Sequence, residues 1–547
     1  MCLFENSKIL ETGIKMMQPD MIRTINGYKA YYAIDDMISQ IYTFEVKKEK
    51  LILDTTVPDA SVDLLFFEKI SGEFGARIIG PTKSRLSSYV AFEENTSIYW
   101  HTMKLTIEAA NEDFLQVFSK SYETMKAHMD KIPNGFSRRS FMYGPAVIFA
   151  DHGEGQYVYT IDGRKLLDFN NNFTVNVLGY ANPAVNEAIA EATKRAYSFG
   201  NPTEPEYELA GMLSDRIESV ERTKFFCSSS EACLGAVRIA RAYTGKDKIA
   251  KMEGGYHGFG DEMAISGHVD PSLPHGEQAA PASVPDSAGI PQSSVDNVII
   301  LTQNHLEDCE KVIRAHAHEL ACVIMELQSC AGGCVVLTKE FVEGIRAITK
   351  ELGIVLIFDE TCTLRAGYHG MQGIYGVKPD LTVMGKIIGG GIPIGAVGGS
   401  KEVMEVLENK VALSGTHHGH LMAAMAGIAT LKQLDEAAFE KLNGQASRIK
   451  NELNSWAIEN EIPFSYYGEH SILGYAFTDK VDRKINTIRD YWGNTNSNAM
   501  QIYALEMAVR GYYPVVRGQI ALTLPMTDEN ITGFIETSKE LITEIYK

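Results

Sequence analysis

The sequence predicts an α/β protein: a three-layer domain with a mostly parallel sheet over about residues 131–547, preceded by a mostly β segment over residues 1–130. Three observations predict it. From about residue 131 onward, apolar runs of strand length alternate with helical patterns of about ten residues or more, the mark of parallel β-α-β winding. The 547 residues exceed what one hydrophobic core usually holds, so two or more domains are expected, and 45% hydrophobic content supplies their cores. The chain also changes character near residue 130.

Before that point, strand-like runs such as Lys50–Asp54 and Val62–Phe67 alternate with turn residues and end in a helical stretch from about Glu112 to Met129. The segment from Val57 to Phe66, with Ile79–Lys83 after it, faintly resembles the sensor half of bacterial transcription regulators of the arabinose-operon type, yet no helix-turn-helix pattern follows. Beyond it, strands are expected at Lys224–Cys227, Ile249–Met252, Val298–Leu301, Cys322–Glu326, Ile354–Asp359 and Leu381–Met384. Helices are expected at Glu231–Thr244, Leu306–His318 and Thr338–Leu352. The stretch Gly267–Ser294, rich in Pro, Ser, Gly and Ala, reads as a long irregular loop of the kind that covers active sites.

Composition narrows the function. A formal net charge of -19 argues against nucleic acid, because neutralising phosphates requires a lysine and arginine surplus. No window reaches the ~18 uninterrupted apolar residues of a membrane span, and Met1–Lys8 has no secretory pattern, so no membrane partner and a cytoplasmic location are expected. The eight cysteines are scattered, as in a reducing compartment, and not arrayed as a disulfide framework.

The chemistry-bearing residues stand at predicted strand ends. Lys386 closes the apolar run Leu381–Met384 and precedes Gly389–Gly391, so it is placed to form an imine with a flat carbonyl cofactor. Burial there is expected to lower its proton affinity. Ser228, Ser229 and Ser230 open a helix whose free N–H groups and dipole favour a phosphate, although serines also cap helices without any ligand. Asp359 ends an apolar strand and needs a partner, which a protonated pyridine nitrogen or an ordinary salt bridge would supply. Tyr256, between glycines in Glu253–Gly258, is suited to stacking on a flat ring or to core packing.

These segments, in this order, resemble the class III (fold type I) pyridoxal-phosphate aminotransferase family, closest to its glutamate-1-semialdehyde aminomutase-like branch, which includes β-amino-acid aminotransferases. The stretches that carry the resemblance are Ile132–Arg138, Tyr159–Phe169, Ser198–Thr203, Ala240–Ile249, Glu253–Gly258, Phe358–Glu360 and Met384–Gly391. It implies a fold type I transferase, with 131–195 as its N-terminal segment, 196–430 as the large cofactor domain and 431–547 as a small α+β C-terminal domain. It also implies pyridoxal 5′-phosphate as cofactor, Lys386 as the Schiff-base lysine, Asp359 as partner of the pyridine nitrogen and Tyr256 as the stacking aromatic. Ser229 and Ser230 fall in its phosphate cup, and Thr416 matches a threonine that reaches the neighbouring subunit's phosphate, implying a homodimer with shared sites. Arg138 matches the arginine that grips a substrate carboxylate, with Arg139 and Arg365 as competing candidates.

The departures bear on specificity. Ser229 replaces a glycine of the usual Ser-Gly-Thr-Glu-Ala, Leu327 a proline, and Thr361 a valine that packs against the cofactor. His417, His418 and His420 replace an aromatic-asparagine stretch, and no metal is expected there. The expected activity is transfer of an amino group between small amino and oxo acids, with an intramolecular aminomutase or a racemase as alternatives. A different class of function is a ligand-sensing module that binds the cofactor without turnover. Retention of Lys386, Asp359, Tyr256 and Thr416 together argues against that class.

Overall fold

The computed structural model describes residues 103–268 and 271–546, and within 1–102 only the backbone pairing of six short strands. Those strands form two antiparallel sheets of three, one joining Arg23–Ile25, Tyr28–Ala33 and Leu64–Lys69, the other Thr43–Lys47, Lys50–Asp54 and Tyr89–Ala91. The resemblance to a sensor domain rests on side chains that lie outside the described residues. The chain divides at 106/107 into two compact units. The helices Ile107–Val117 and Ser119–His128 therefore fall in the larger unit, not with the β segment. Phe114 and Phe118 explain this, since both are fully buried and Phe114 stacks on Tyr143 at 6.2 Å.

The larger unit is organised by a seven-stranded sheet. Its strands in chain order are β1 (Arg222–Phe226), β2 (Lys248–Met252), β3 (Val298–Leu301), β4 (Leu320–Met325), β5 (Val355–Asp359), β6 (Leu381–Gly385) and β7 (Gly395–Gly399). In space the order is β1-β7-β6-β5-β4-β2-β3, parallel throughout except for β7, which runs antiparallel to both neighbours. All six expected strands are present within two residues at either end. β7 is not among the expected strands. Its glycines are required by proximity: an added Cβ at Gly398 would stand 2.5 Å from Val220, and one at Gly399 2.5 Å from Leu381.

Continuous apolar runs make β4, β5 and β6 because both faces are covered, and every residue of these strands is buried. One face packs under helix α1 (Ser229–Thr244), through Ala232, Ala236, Val237 and Ile239. The opposite face meets Leu306–His316 and Lys339–Glu351, through Ile313, Phe341 and Ile345. The three layers are thus helix, sheet, helix. A small antiparallel sheet of Phe464–Glu469, Ile472–Phe477 and Gln519–Ala521 packs with the helices Glu436–Glu459, Ser497–Val509 and Asp528–Tyr546. Among the described residues, no helix is long and apolar enough to cross a membrane.

Candidate active site

The parallel strands share one polarity, so their C-terminal ends converge, and a crevice there is where open α/β sheets bind ligands. Register brings the pieces together. Gly395 pairs with both Phe226 and Gly385, which sets the Ser228–Ser230 turn after β1 beside Lys386 after β6. Asp359 pairs with Val383, one strand further in. Tyr256 follows β2 and Glu326 follows β4.

Ser228 caps α1, its Oγ accepting from Glu231 N at 3.2 Å, and Ser229 and Ser230 occupy the first helical positions. Glycines make room around them. A Cβ at Gly385 would stand 2.0 Å from Ser229 Oγ, one at Gly258 2.5 Å from Ser230 Oγ, and one at Gly395 2.1 Å from the Ser228 carbonyl. Two hydroxyls and a helix N-terminus are thereby set in a cradle without intervening side chains, the donor set that a phosphate requires.

Asp359 is buried at the end of β5. Its Oδ2 accepts from His257 Nδ1 at 2.9 Å and from Cys233 Sγ at 3.4 Å, and its Oδ1 accepts from Thr361 N at 3.0 Å. Burial alone would raise its proton affinity, but the hydrogen bonds from His257 and Thr361 reverse this and leave its pKa below the ordinary value. It is an ionised carboxylate, suited to keeping a pyridine nitrogen protonated. His257 is buried too, and burial lowers its pKa against the opposing pull of Asp359.

Lys386 sits in the left-handed region, at φ 51°, and its Nζ donates to Cys362 Sγ at 2.5 Å. Burial pulls its proton affinity down, yet Cys362 and Cys330 outweigh burial and the balance lies above the usual lysine value. This corrects the expectation that burial would free the amine: a sulfur neighbour, Cys362, holds the proton on. The buried Glu326 accepts from Tyr256 N at 2.9 Å. Burial and the nearby Cys362 and Asp359 push its pKa well above normal, so it is a neutral acid.

Tyr256 is half-exposed, packs edge-on to His268 at 4.8 Å, and lies within electrostatic reach of Lys386, Arg517 and Arg138. Arg138 Nη1 donates to Asn172 Oδ1 at 2.7 Å. Arg138 and Arg517 both stand over the Phe173 ring, at 4.9 and 5.1 Å. Phe173 belongs to the turn Asn171–Thr174, four successive non-glycine residues with φ between 33° and 77°. Such a turn persists only when its surroundings over-determine it. Asp168 Oδ1 accepts from Asn170 N and Asn171 N, both at 2.8 Å, and Arg365 Nη1 donates to Asn171 Oδ1 at 3.2 Å and Thr174 O at 3.1 Å.

Arg365 is therefore consumed by the fold. Its Nε also donates to Ser471 Oγ at 2.9 Å and its Nη2 to Leu522 O, with the side chain 1% exposed. Arg139 begins a short 3-10 turn and is exposed. Thr416 is exposed on the loop before Leu421–Leu431. Of the three histidines nearby, His418 turns to Glu231 at 3.6 Å, while the His417 and His420 rings lie 5.8 Å apart.

The long loop is anchored beside the site. Arg489 donates to both Glu253 oxygens, at 2.7 and 2.9 Å, and to the carbonyls of His275 and Gly276, both at 2.9 Å. Sequence reading passed over His257, Glu326, Cys330, Cys362 and Arg517 as site groups. His257 carried a signal, lying inside Glu253–Gly258; Arg517 carried none, since only folding returns residue 517 to Tyr256.

Comparison places this arrangement among known proteins. Residues 140–468 match the model of the family "Aminotransferase class-III". The chain is 34% identical over 434 residues to glutamate-1-semialdehyde 2,1-aminomutase 2 of Listeria monocytogenes, covering 78% of this chain and 96% of that one. It superposes on an omega-transaminase from Sphaerobacter thermophilus with TM-score 0.73 and 30% identity, covering 78% and 98% of the two chains. A beta-phenylalanine aminotransferase from Variovorax paradoxus gives TM-score 0.72 and 26% identity, over 80% and 96%. With its fold type I sheet, serine cradle, buried Asp359 and strand-end Lys386, the chain belongs to the class III aminotransferase family and is a pyridoxal 5′-phosphate-dependent enzyme.

Proposed function

We propose that the enzyme moves an amino group from a carboxylate-bearing amino acid, a β-amino acid in the first instance, to an oxo acid. The observation that carries this reading is the pair of guanidinium groups, Arg138 and Arg517, over one ring beside Tyr256 and Lys386. A planar guanidinium fork pairs bidentately with a carboxylate, and both donor and acceptor bring one.

The chemistry supplied by pyridoxal 5′-phosphate when bound is a reactive carbonyl and a conjugated ring that spreads negative charge. Ser229, Ser230 and the start of α1 would hold the phosphate, Tyr256 would stack on the ring, and Asp359 would keep the ring nitrogen protonated. Lys386 Nζ would hold the carbonyl and, as the nearest basic group, would carry the proton of the amine-bearing carbon. Arg138 and Arg517 orient the substrate so that its reacting C–H faces Nζ. Thr416, exposed before Leu421–Leu431, reaches the phosphate of a second copy, so the active form is a homodimer with shared sites. Seven described cysteines, all free, fit a cytoplasmic setting.

A screen of α-, β- and ω-amino acids with pyruvate or 2-oxoglutarate tests the reading, with amino transfer to the oxo acid expected. Borohydride reduction should fix the cofactor on Lys386, and Lys386→Ala should abolish that attachment. The 34% identity to an aminomutase favours a second reading, an intramolecular shift of the amine to the adjacent carbon. Product formed with no acceptor present would establish it over the first.

A further inference from the structure

Cys362 and Cys330 belong to no part of the mechanism above, yet they face its lysine. Cys362 Sγ accepts from Lys386 Nζ at 2.5 Å, and the sulfurs of Cys330 and Cys362 lie with a Glu326 oxygen inside one cluster, every pair within 4.8 Å. All three residues are buried. Both cysteines follow strand ends of the sheet, Cys330 after β4 and Cys362 after β5, so their proximity is set by rigid elements. Cys330 also lines a cavity of about 200 Å³ with Cys334, His268 and Arg517, which brings a small solute to the Cys330 side of the pair.

We propose that Cys362 and Cys330 form an oxidisable thiol pair, a modification site that takes a peroxide and whose closure into a disulfide withdraws the sulfur acceptor from Lys386 Nζ. The pair has the two parts such a site needs, an activated thiolate and a resolving thiol. The hydrogen bond from Cys330, together with Lys386, holds the Cys362 thiol below its ordinary pKa, and the same hydrogen bond raises Cys330. In the reaction, the Cys362 thiolate attacks one peroxide oxygen, the O–O bond breaks, and Cys362 becomes a sulfenic acid as hydroxide leaves. Cys330 sulfur then attacks that sulfur; the S–S bond forms, the S–O bond breaks, and the departing oxygen leaves as water with the Cys330 proton. The hydroxide takes up the proton that Cys362 gave up on ionising, so two thiols lose two electrons and one peroxide becomes two waters.

The consequence falls on the proton of Lys386. Its charged and titratable neighbours are Cys362, Cys330 and Glu326, with Tyr256 across the site; Asp359 and Arg365 face the sulfurs. Of these, only the sulfurs change on oxidation. Removing a negative sulfur at this distance lowers the proton affinity of an ammonium, so a step that needs neutral Lys386 proceeds at lower pH in the disulfide form. This consequence rests on Lys386 acting as the proton carrier, as proposed above.

The test treats the full-length holoenzyme with hydrogen peroxide, blocks remaining thiols by alkylation and maps peptides by mass, with the pH dependence of kcat measured before oxidation, after it and after dithiothreitol. A Cys330–Cys362 cross-link is expected, together with a shift of the acid limb of kcat by about 1 to 3 pH units towards lower pH, both reversed by the reductant. Cys334→Ser should keep the cross-link, because burial pushes the Cys334 thiol up to about 12 and its Sγ points to the Cys330 carbonyl at 3.7 Å. Cys330→Ser should lose it and drive Cys362 to higher oxides. Absence of the cross-link, a link to Cys334 in its place, or a cross-linked enzyme with an unmoved acid limb overturns the proposal. Borohydride fixation on Lys386 is read separately, so failure of the lysine assignment is distinguishable from failure of the thiol pair.

Discussion

His257 Nδ1 donates to Asp359 Oδ2 across 2.9 Å, with both side chains at most 4% exposed. The hydrogen bond is a main reason why a carboxylate so buried stays ionised. Replacing His257 by Phe removes a charge-assisted bond of about 1.5–3 kcal/mol and raises the Asp359 pKa. Cofactor affinity should fall ten- to hundredfold, read as a weaker dissociation constant by absorbance titration. Acid should release the cofactor at a higher pH than in wild type. The sign is fixed by both shifts: His257 and Asp359 have lowered folded pKa values, so each loses its stabilising contribution as pH falls, His257 below its ordinary value near 6.5 and Asp359 below 3.8. An unchanged release midpoint would show that Thr361 and Cys233 suffice.

Gly385 precedes Lys386 and faces Ser229 Oγ, where an added Cβ would come within 2.0 Å. Gly385→Ala should displace that hydroxyl and loosen the phosphate cradle, raising the apparent cofactor dissociation constant about tenfold or more, in line with the loss of about one charge-assisted hydrogen bond. Ser229→Gly relieves the clash, so the double variant should regain part of the binding. Equal affinity in wild type and Gly385→Ala would place the phosphate elsewhere.

The three arginines separate by what they touch. Arg138→Lys and Arg517→Lys should raise KM for a carboxylate substrate about tenfold to a hundredfold while leaving thermal unfolding close to wild type. Arg365→Lys should do the opposite. It breaks donations to Ser471, Asn171, Thr174 and Leu522, and a loss of about 3–5 kcal/mol is expected from denaturant unfolding. A KM effect at Arg365 without a stability effect would return it to the substrate site.

Asp168 gives a pH signature of its own. Burial raises its pKa to about 6, despite hydrogen bonds from Tyr180 and the backbone of Asn171 and Asn170. The folded state therefore binds a proton that the unfolded state releases, so the contribution of Asp168 is fully present below about 4 and lost as pH rises through about 6. Asp168→Asn should flatten that part of the stability curve by about 3 kcal/mol, measured as the difference between unfolding free energies at pH 4 and pH 7. Because Asp168 fastens the turn that holds Phe173, KM should rise with the same substitution.

Local pattern determined much of this protein. Six strands, three helices and the positions of Lys386, Asp359, Tyr256 and the serine turn were legible because apolar periodicity and glycine placement are written within a few residues of each. Local pattern does not mark β7, since three of its five residues are glycine. Pairing with β1 and β6 makes them a strand, and Leu381, Val220 and the Ser228 carbonyl crowd its glycines so that no side chain fits there.

What only the tertiary structure decided depends on residues far apart in the chain. Arg365, 6 positions from Asp359, is a substrate-ligand candidate by sequence, but in the fold its guanidinium donates to acceptors on residues 171, 174, 471 and 522. Arg517 looked like nothing until folding set it over Phe173. The proton affinity of Lys386 changed direction for the same reason. Sequence places the lysine at a buried strand end, but the sign of its shift is decided by Cys362 Sγ, 2.5 Å away on the neighbouring parallel strand's outgoing turn. Burial can be read from apolar neighbours along the chain, whereas the charge facing a buried group is fixed by which strands lie side by side.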